Sequence, residues 1–192
     1  MQLRKSIWVR IHTVAWLILS AWRALELREH PEKGFEPGFL QHLEPAIAIV
    51  EEKKIKLVHN AGALNPRALA EATSRLLLKY NSKLKVAYVE GDNITAEIKA
   101  MSQDSVAKLQ HLDIEGKDLS GVNKEILTAN GYIGMGGIVA ALNYGADIVI
   151  CGSCTDASPV MGLAAWWHGW GEEQYNELAG ALMAGRKSTS MS

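Results

Sequence analysis

Cysteine is scarce in this sequence, which holds two such residues, Cys151 and Cys154, among 192. Small secreted domains that depend on disulfides carry many more, so this scarcity excludes a disulfide framework and favours a reducing, intracellular setting. An excess of basic charge is also lacking, because 20 Lys and Arg residues face 21 Asp and Glu residues. Nucleic-acid binding relies on a concentrated basic surface, and we therefore expect no nucleic-acid partner.

Long hydrophobic runs are missing as well. The apolar run at residues 14–19 is far shorter than the ~20 residues that cross a membrane. Arg4, Lys5 and Arg10 precede it as in a signal sequence, but the residues after it form a poor cleavage site. We therefore expect a cytoplasmic protein without a membrane partner. Residues 1–21 are interpreted as a leader that is unrelated to the fold or poorly ordered.

Strand patterns alternate with helix patterns along the rest of the chain. Short β-favouring runs at 55–58, 84–89 and 147–150 each end in a polar loop. Amphipathic patterns predict helices at 38–54, 67–80, 94–101, 131–144, from 158 onwards and at 172–183. The first of these begins near Pro37 or, if Pro45 lies in its first turn, near Glu44.

This alternation implies parallel strands, because parallel neighbours need a crossover connection, which is usually a helix. The sequence therefore predicts an α/β fold with an open parallel sheet covered by helices. Three strands are few for such a sheet, and we expect a fragment of a domain at residues 22–186 that lacks N- and C-terminal parts. Residues 187–192 are interpreted as a tail.

Three loops follow the predicted strands, at the edge where open α/β sheets bind ligands. The first loop offers Asn60, Gly62 and Asn65, neutral groups suited to a substrate's carbonyl or phosphate oxygen. Helix capping alone would explain Asn65, which precedes Pro66 at a helix start, and a tight turn would explain Gly62.

The second loop holds two carboxylates, Glu90 and Asp92, separated by one glycine. Burial side by side would raise the pKa of one of them and make it a candidate proton carrier or metal ligand. Alternatively, Asp92 or Asn93 serves only to cap the following helix.

The third loop combines a C-x-x-C motif with Thr155, Asp156 and Ser158. A C-x-x-C between a strand and a helix is typical of thiol oxidoreductases, although nothing else in the sequence resembles thioredoxin. Structural zinc needs four ligands and no second cysteine pair exists, so we predict no metal. The hydroxyl and carboxyl groups form the better candidate cluster, with Asp156 the first residue to mutate.

A glycine-rich stretch at 131–137, read as G-x-x-G-x-G-G, departs from the G-x-G-x-x-G spacing of dinucleotide-binding loops. We therefore predict no cofactor. Asn130 directly precedes this stretch and is predicted to cap the helix at 131–144.

Several motifs in order resemble the acyclic terpene utilisation family (AtuA-like), long described as a domain of unknown function. They are F-L-Q-H-L-E-P at 39–45, H-N-A-G-A-L-N-P at 59–66, V-E-G-D at 89–92, T-A-N-G-Y at 128–132, A-D-I-V-I-C-G at 146–152 and T-D-A-S at 155–158. The resemblance covers residues 22–186.

This resemblance implies an α/β enzyme associated with the breakdown of branched acyclic terpenoids or related acyl-CoA compounds. The positions that match the motifs are Asn60, Gly62, Asn65, Pro66, Glu90, Gly91, Asp92, Asn130, Thr155, Asp156 and Ser158. Family members begin with a strand and a glycine-rich segment and continue past the position of Arg186, and this chain departs from both patterns. They do not usually carry both cysteines of the third loop, which weakens the redox interpretation.

The leading hypothesis is an enzyme that transfers a proton next to the carbonyl of an acyl-CoA or carboxylate substrate. Glu90, Asp92 and Asp156 are its candidate acid-base groups, and Asn60 orients the carbonyl. Gly62, Asn65, Asn130, Thr155 and Ser158 complete the expected substrate-binding set. The alternatives are a non-catalytic binding or assembly subunit, with a carboxylase partner or as a homo-oligomer, and a thiol oxidoreductase.

Overall fold

A computed structural model describes residues 7–9, 16–103, 109–121 and 125–189. The features predicted at residues 4, 5, 10 and 14, and the end of the tail at 190–192, lie outside the described residues. In chain order the strands and helices are β1 (Ile7–Val9), α1 (Trp16–Glu29), α2 (Gly38–Leu43), α3 (Ile47–Glu52), β2 (Lys56–His59), α4 (Pro66–Lys79), β3 (Val86–Val89), α5 (Thr95–Gln103), α6 (Gly136–Asn143), β4 (Ile148–Cys151), α7 (Ser158–His168) and α8 (Tyr175–Thr189).

The four strands form one parallel sheet in the order β1-β2-β4-β3. Val149 of β4 stands opposite Val58 of β2 on one side and Ala87 of β3 on the other. The predicted α/β class, an open parallel sheet covered by helices, is therefore confirmed. In the described part of the chain, no helix is long and apolar enough to cross a membrane.

Helices cover both faces of this sheet. On one face Ile148 and Ile150 pack in a core with residues of α2, α3 and α4, including Leu69. On the other face Val149 and Cys151 pack with residues of α6 and α7, such as Ile138 and Leu163. All four residues of β4 are buried, as expected for a central strand covered on both sides.

The strand β1 lies within the segment that the sequence led us to interpret as a leader, and it extends the sheet beyond the three predicted strands. It runs parallel to β2, with Trp8 opposite Leu57. The helix α1 then crosses the expected boundary at residue 21. Arg23 donates one hydrogen bond within α1, to Glu26 (2.6 Å), and a second to Glu36 (2.8 Å), which ties α1 to the loop before α2.

The single helix predicted at 38–54 is wrong in its continuity. A 3₁₀ turn at Glu44–Ala46 separates α2 from α3, because Pro45 has no N–H to donate to the preceding turn. Its apolar stripe nevertheless stays on one side, since Phe39, Leu43, Ile47 and Val50 are all buried.

The last helix is longer than predicted, because α8 continues to Thr189 and so enters the expected tail. It packs closely on the start of α7: a Cβ added to Gly185 would lie 2.8 Å from the Cα of Ala157. This contact brings α8 against the end of the third loop.

Candidate functional site

The three polar loops lie at one edge of the sheet, because β2, β3 and β4 are parallel and each loop follows a strand's carboxyl end. The loop after β4 is central, between those after β2 and β3. We call this edge the carboxyl rim, formed by residues 60–65, 90–93 and 152–158.

Asp92 is the buried acid of the carboxyl rim, with 3% of its surface exposed. Its Oδ2 accepts hydrogen bonds from the backbone N–H of Ser153 (2.7 Å) and from Nδ2 of Asn130 (3.0 Å). No hydrogen bond joins Oδ1 to any residue in the part of the chain that the structure describes. The two donors therefore anchor the side chain through one oxygen and leave the other oxygen without a hydrogen bond from these residues.

The backbone of Gly152 lies directly against this carboxylate. A Cβ at that position would stand 2.6 Å from Oδ1 and 2.7 Å from Oδ2 of Asp92. Gly91, at φ +112°, turns the chain between Glu90 and Asp92 in a conformation that side chains disfavour. Both glycines therefore place the carboxylate.

Asn130 does not cap a helix, and the predicted helix start at residue 131 is wrong. The helix α6 begins at Gly136, while the backbone N–H groups of Gly131 and Ile133 donate to Asp92 O (2.7 Å) and Ser153 O (3.1 Å). These bonds to two other loops hold the chain extended where local capping signals suggested a helix. The predicted end of α6 is confirmed, because Gly145 follows it at φ +86°.

Asn60 is the buried amide of the carboxyl rim, with 6% of its surface exposed. Within the described residues its side chain makes no hydrogen bond. The loop after it is packed tightly on the neighbouring loop, since a Cβ on Gly62 would lie 2.5 Å from Cys151 O and 2.7 Å from the Cα of Pro66. Gly62 is thus required for packing at this position.

Asn65 has its side chain fully engaged in structure. Its Oδ1 accepts from the N–H of Ala68 (3.2 Å), the predicted cap of α4, and its Nδ2 donates to Pro31 O (2.9 Å) and Lys33 O (2.8 Å). The amide therefore joins the first loop to the connection between α1 and α2.

Glu90 and Asp92 do not share a buried environment. The Glu90 side chain is 47% exposed and pairs with Arg67, whose Nε lies 3.2 Å from its Oε1. The Arg67 guanidinium in turn lies over the ring of Tyr88, 5.6 Å from its centre. Glu90 thus belongs to an exposed ion pair beside the buried acid.

Hydroxyl groups gather at the start of α7. Oγ1 of Thr155 and Oγ of Ser158 lie 2.5 Å apart, and the Ser158 hydroxyl also donates to Ile133 O at 3.4 Å. Ser158 is the first residue of α7, and its hydroxyl forms no capping hydrogen bond. Asp156 is partly buried and forms no hydrogen bond or ion pair with the residues that the structure covers.

The two thiols of the third loop are buried, with 0% of Cys151 and 1% of Cys154 exposed. A hydrogen bond with the Cys154 thiol raises the pKa of the Cys151 thiol well above its ordinary value, and burial and the nearby Asp92 charge raise it further. Reactive cysteines have lowered pKa values and accessible sulfur atoms. Cys151, by contrast, has a raised pKa and a buried sulfur atom.

No group of three or more His, Cys, Asp or Glu residues suited to a metal occurs in the described ranges.

Ser153 is the residue that sequence reasoning missed. It is 2% exposed, and two hydrogen bonds hold its backbone: its N–H donates to Asp92, and its carbonyl accepts from the N–H of Ile133. Its hydroxyl has no hydrogen-bond partner among the described residues. The only sequence signal was its position two residues past the end of a fully apolar strand.

A family model described as acyclic terpene utilisation family protein AtuA matches residues 18–187, which is most of the chain. No curated protein and no solved structure matches it. The match begins inside α1 and ends inside α8, and therefore includes the whole carboxyl rim.

Proposed function

The chain belongs to the acyclic terpene utilisation family, and from this premise we propose that it is an enzyme acting on branched acyl-CoA or carboxylate intermediates of terpenoid or related catabolism. The proposed reaction is a proton transfer at the carbon next to the substrate's carbonyl. The proposed location is the cytoplasm.

One observation carries this proposal: a buried carboxylate and a buried amide follow the strands that flank β4, and each has a polar atom without a hydrogen-bond partner among the described residues. Asp92 is held by two N–H donors on one oxygen, and its other oxygen is the proposed proton acceptor. The Asn60 amide can donate to a carbonyl oxygen. A base beside a carbonyl donor is the arrangement that such proton transfers need, because negative charge develops on the carbonyl oxygen.

Asp156 is the second proposed acid-base group, since it is partly buried and has no partner within the described residues. Glu90 remains a candidate, with its ion pair to Arg67 favouring a role in binding. Thr155 and Ser158 are proposed to contact the substrate from the start of α7, whereas Gly62, Asn65 and Asn130 support the loops.

Hydrogen exchange on the substrate tests the reaction directly. The purified chain is incubated with isovaleryl-CoA in D₂O, and deuterium at the carbon next to the thioester is measured by mass spectrometry. We expect exchange with the wild type and a loss of at least about 100-fold with Asp92→Asn, the scale of removing a general base. Asp156→Ala should also lose exchange while keeping its fold.

Glu71→Gln is the matched control, because Glu71 is an exposed carboxylate on α4 that pairs only with Arg75 among the described residues. It should exchange at the wild-type rate. Full exchange by both Asp92→Asn and Asp156→Ala would refute the proposed roles.

Exposed apolar side chains on the last two helices favour a second candidate, a binding or assembly subunit. Trp167 is 38% exposed, Tyr175 73% and Met183 66%, and such side chains are enriched at protein interfaces. Thermal-shift measurements separate the two candidates, because a ligand that binds the native state raises apparent stability. No shift with acyl-CoA esters, together with a stable complex with a carboxylase or a second copy, would support this candidate.

A further inference from the structure

Three buried residues of the carboxyl rim, Asn60, Ser153 and Asp92, have polar side-chain atoms that form no hydrogen bond with the described residues; they are exposed by 6%, 2% and 3%. Within the described part of the chain, every side-chain nitrogen or oxygen atom of a buried residue either has a hydrogen-bond partner or is accessible to solvent. The Asn60 amide, the Ser153 hydroxyl and Oδ1 of Asp92 therefore each retain an opening to solvent. Accessible polar atoms on otherwise buried residues can form hydrogen bonds to a molecule that enters from solvent, so their recurrence in one place points to a ligand.

These groups follow three adjacent strands. Asn60 directly follows β2, Asp92 follows β3 and Ser153 follows β4. The chain at the end of β4 contacts the loops on both sides of it. Gly62 of the first loop packs against the carbonyl of Cys151, and the Ser153 N–H donates to Asp92 of the second loop.

The charge of this cluster is negative and uncompensated. Asp92 forms no ion pair with the residues that the structure covers. Its two hydrogen bonds come from a backbone N–H and a neutral amide. The available donors, the Asn60 amide and the Ser153 hydroxyl, are neutral too.

We infer that the carboxyl rim binds an uncharged acyl carbonyl, such as that of a thioester, between Asn60 and Ser153, and that Asp92 excludes free carboxylates. This inference rests on the proposed function and selects one of its two substrate classes. Ser153 is thereby a substrate-binding residue. At a separation of about 5 Å and an effective dielectric constant of about 20, repulsion between two carboxylates weakens binding on the order of 100-fold.

Two probes with the same acyl group but different charge test this selectivity. Calorimetric titration of the full chain at pH 7.5 compares the isovaleryl thioester of N-acetylcysteamine, which is neutral, with isovalerate. We expect the thioester to bind on the order of 100-fold more tightly than the acid. In Asp92→Asn, which keeps an acceptor oxygen, that ratio should fall at least about tenfold.

Ser153→Ala tests the second donor and is the safer variant for folding, since the backbone N–H that anchors Asp92 remains. We expect about tenfold weaker thioester binding, the usual effect of one lost hydrogen bond. Ser74→Ala is the matched control, because that hydroxyl bonds within α4 to Ala70 O, and its thioester affinity should stay at the wild-type value.

Equal binding of acid and thioester by the wild type, or unchanged affinity in Ser153→Ala, would overturn this inference and leave the proposed function standing. If the wild type binds neither probe and also fails to bind isovaleryl-CoA, both the inference and the proposed function are overturned.

Discussion

Replacing Gly152 with alanine should displace the buried carboxylate of Asp92. The new Cβ would lie 2.6 Å and 2.7 Å from the two carboxylate oxygens, closer than non-bonded atoms tolerate. Asp92 cannot move away freely, because the Ser153 N–H and Asn130 Nδ2 hold its side chain and the Gly131 N–H holds its carbonyl.

Overpacking of a tight site costs about 1–3 kcal/mol, and weakening a hydrogen bond to a charged group adds up to about 1.5–3 kcal/mol. Since relaxation relieves part of the strain, we expect the free energy of unfolding of Gly152→Ala to fall by about 2–4 kcal/mol. Urea unfolding, followed by tryptophan fluorescence and by circular dichroism at 222 nm, measures this change.

Gly180→Ala is the matched control, because Gly180 lies within α8 and an added Cβ would meet nothing within 4 Å. Alanine is the better helix former, so this variant should gain about 0.5–1 kcal/mol. A double-mutant cycle isolates the collision between the new Cβ and the carboxylate. In an Asp92→Ala background, Gly152→Ala should lower the free energy of unfolding by at least about 1 kcal/mol less than it does in the wild type. An equal cost in both backgrounds would refute the proposed collision, as would a loss below about 1 kcal/mol in the single variant.

Three further predictions follow from neighbouring contacts. Asn65→Ala should lower the free energy of unfolding by about 1–2 kcal/mol in the same urea assay, because α4 loses its cap; Asn65→Asp should not restore this stability, because it keeps the acceptor for Ala68 but sets a charged oxygen against the carbonyls of Pro31 and Lys33. Gly62→Ala should fail to give a cooperative unfolding transition, since its Cβ would meet backbone atoms at 2.5 Å and 2.7 Å; a native-like urea midpoint would contradict this. Cys151 should resist iodoacetamide in the native protein and react in urea, as mass spectrometry of the peptides would show. The raised pKa of Cys151 also makes stability depend on pH, because the unfolded thiol loses its proton at a lower pH than the folded one. The free energy of unfolding should be unaffected below the unfolded thiol's pKa of about 8.5 and fall as the pH rises above it. This fall should be less steep in Cys151→Ser.

Local signals in the sequence predicted the parts of the site that local physics determines. Asn65 before Pro66 identified the start of α4, and the cap is present. Alternating strand and helix patterns placed three polar loops at the ends of parallel strands, which the pairing of β2, β3 and β4 confirms.

Contacts between distant segments decided what the sequence could not predict. The segment at 130–133 begins with Asn130, a residue typical of helix caps, yet the N–H groups of Gly131 and Ile133 bond to Asp92 and Ser153 in other loops. No local signal in the sequence marks Gly152, because the carboxylate that packs against it comes from another loop. The strand β1 has only three residues, too few for an alternating pattern to be recognised.

Because β4 lies between β2 and β3 but follows both along the chain, the order of synthesis on the ribosome matters. A nascent chain that has not yet reached Ile148 contains both flanking strands without the strand that joins them. Residues such as Val58, which share one core with β4 and α7 residues in the finished fold, then lack that part of their cover. We expect nascent chains of this length to be bound by chaperones and cleaved by proteases, and to become resistant once β4 and α7 have emerged.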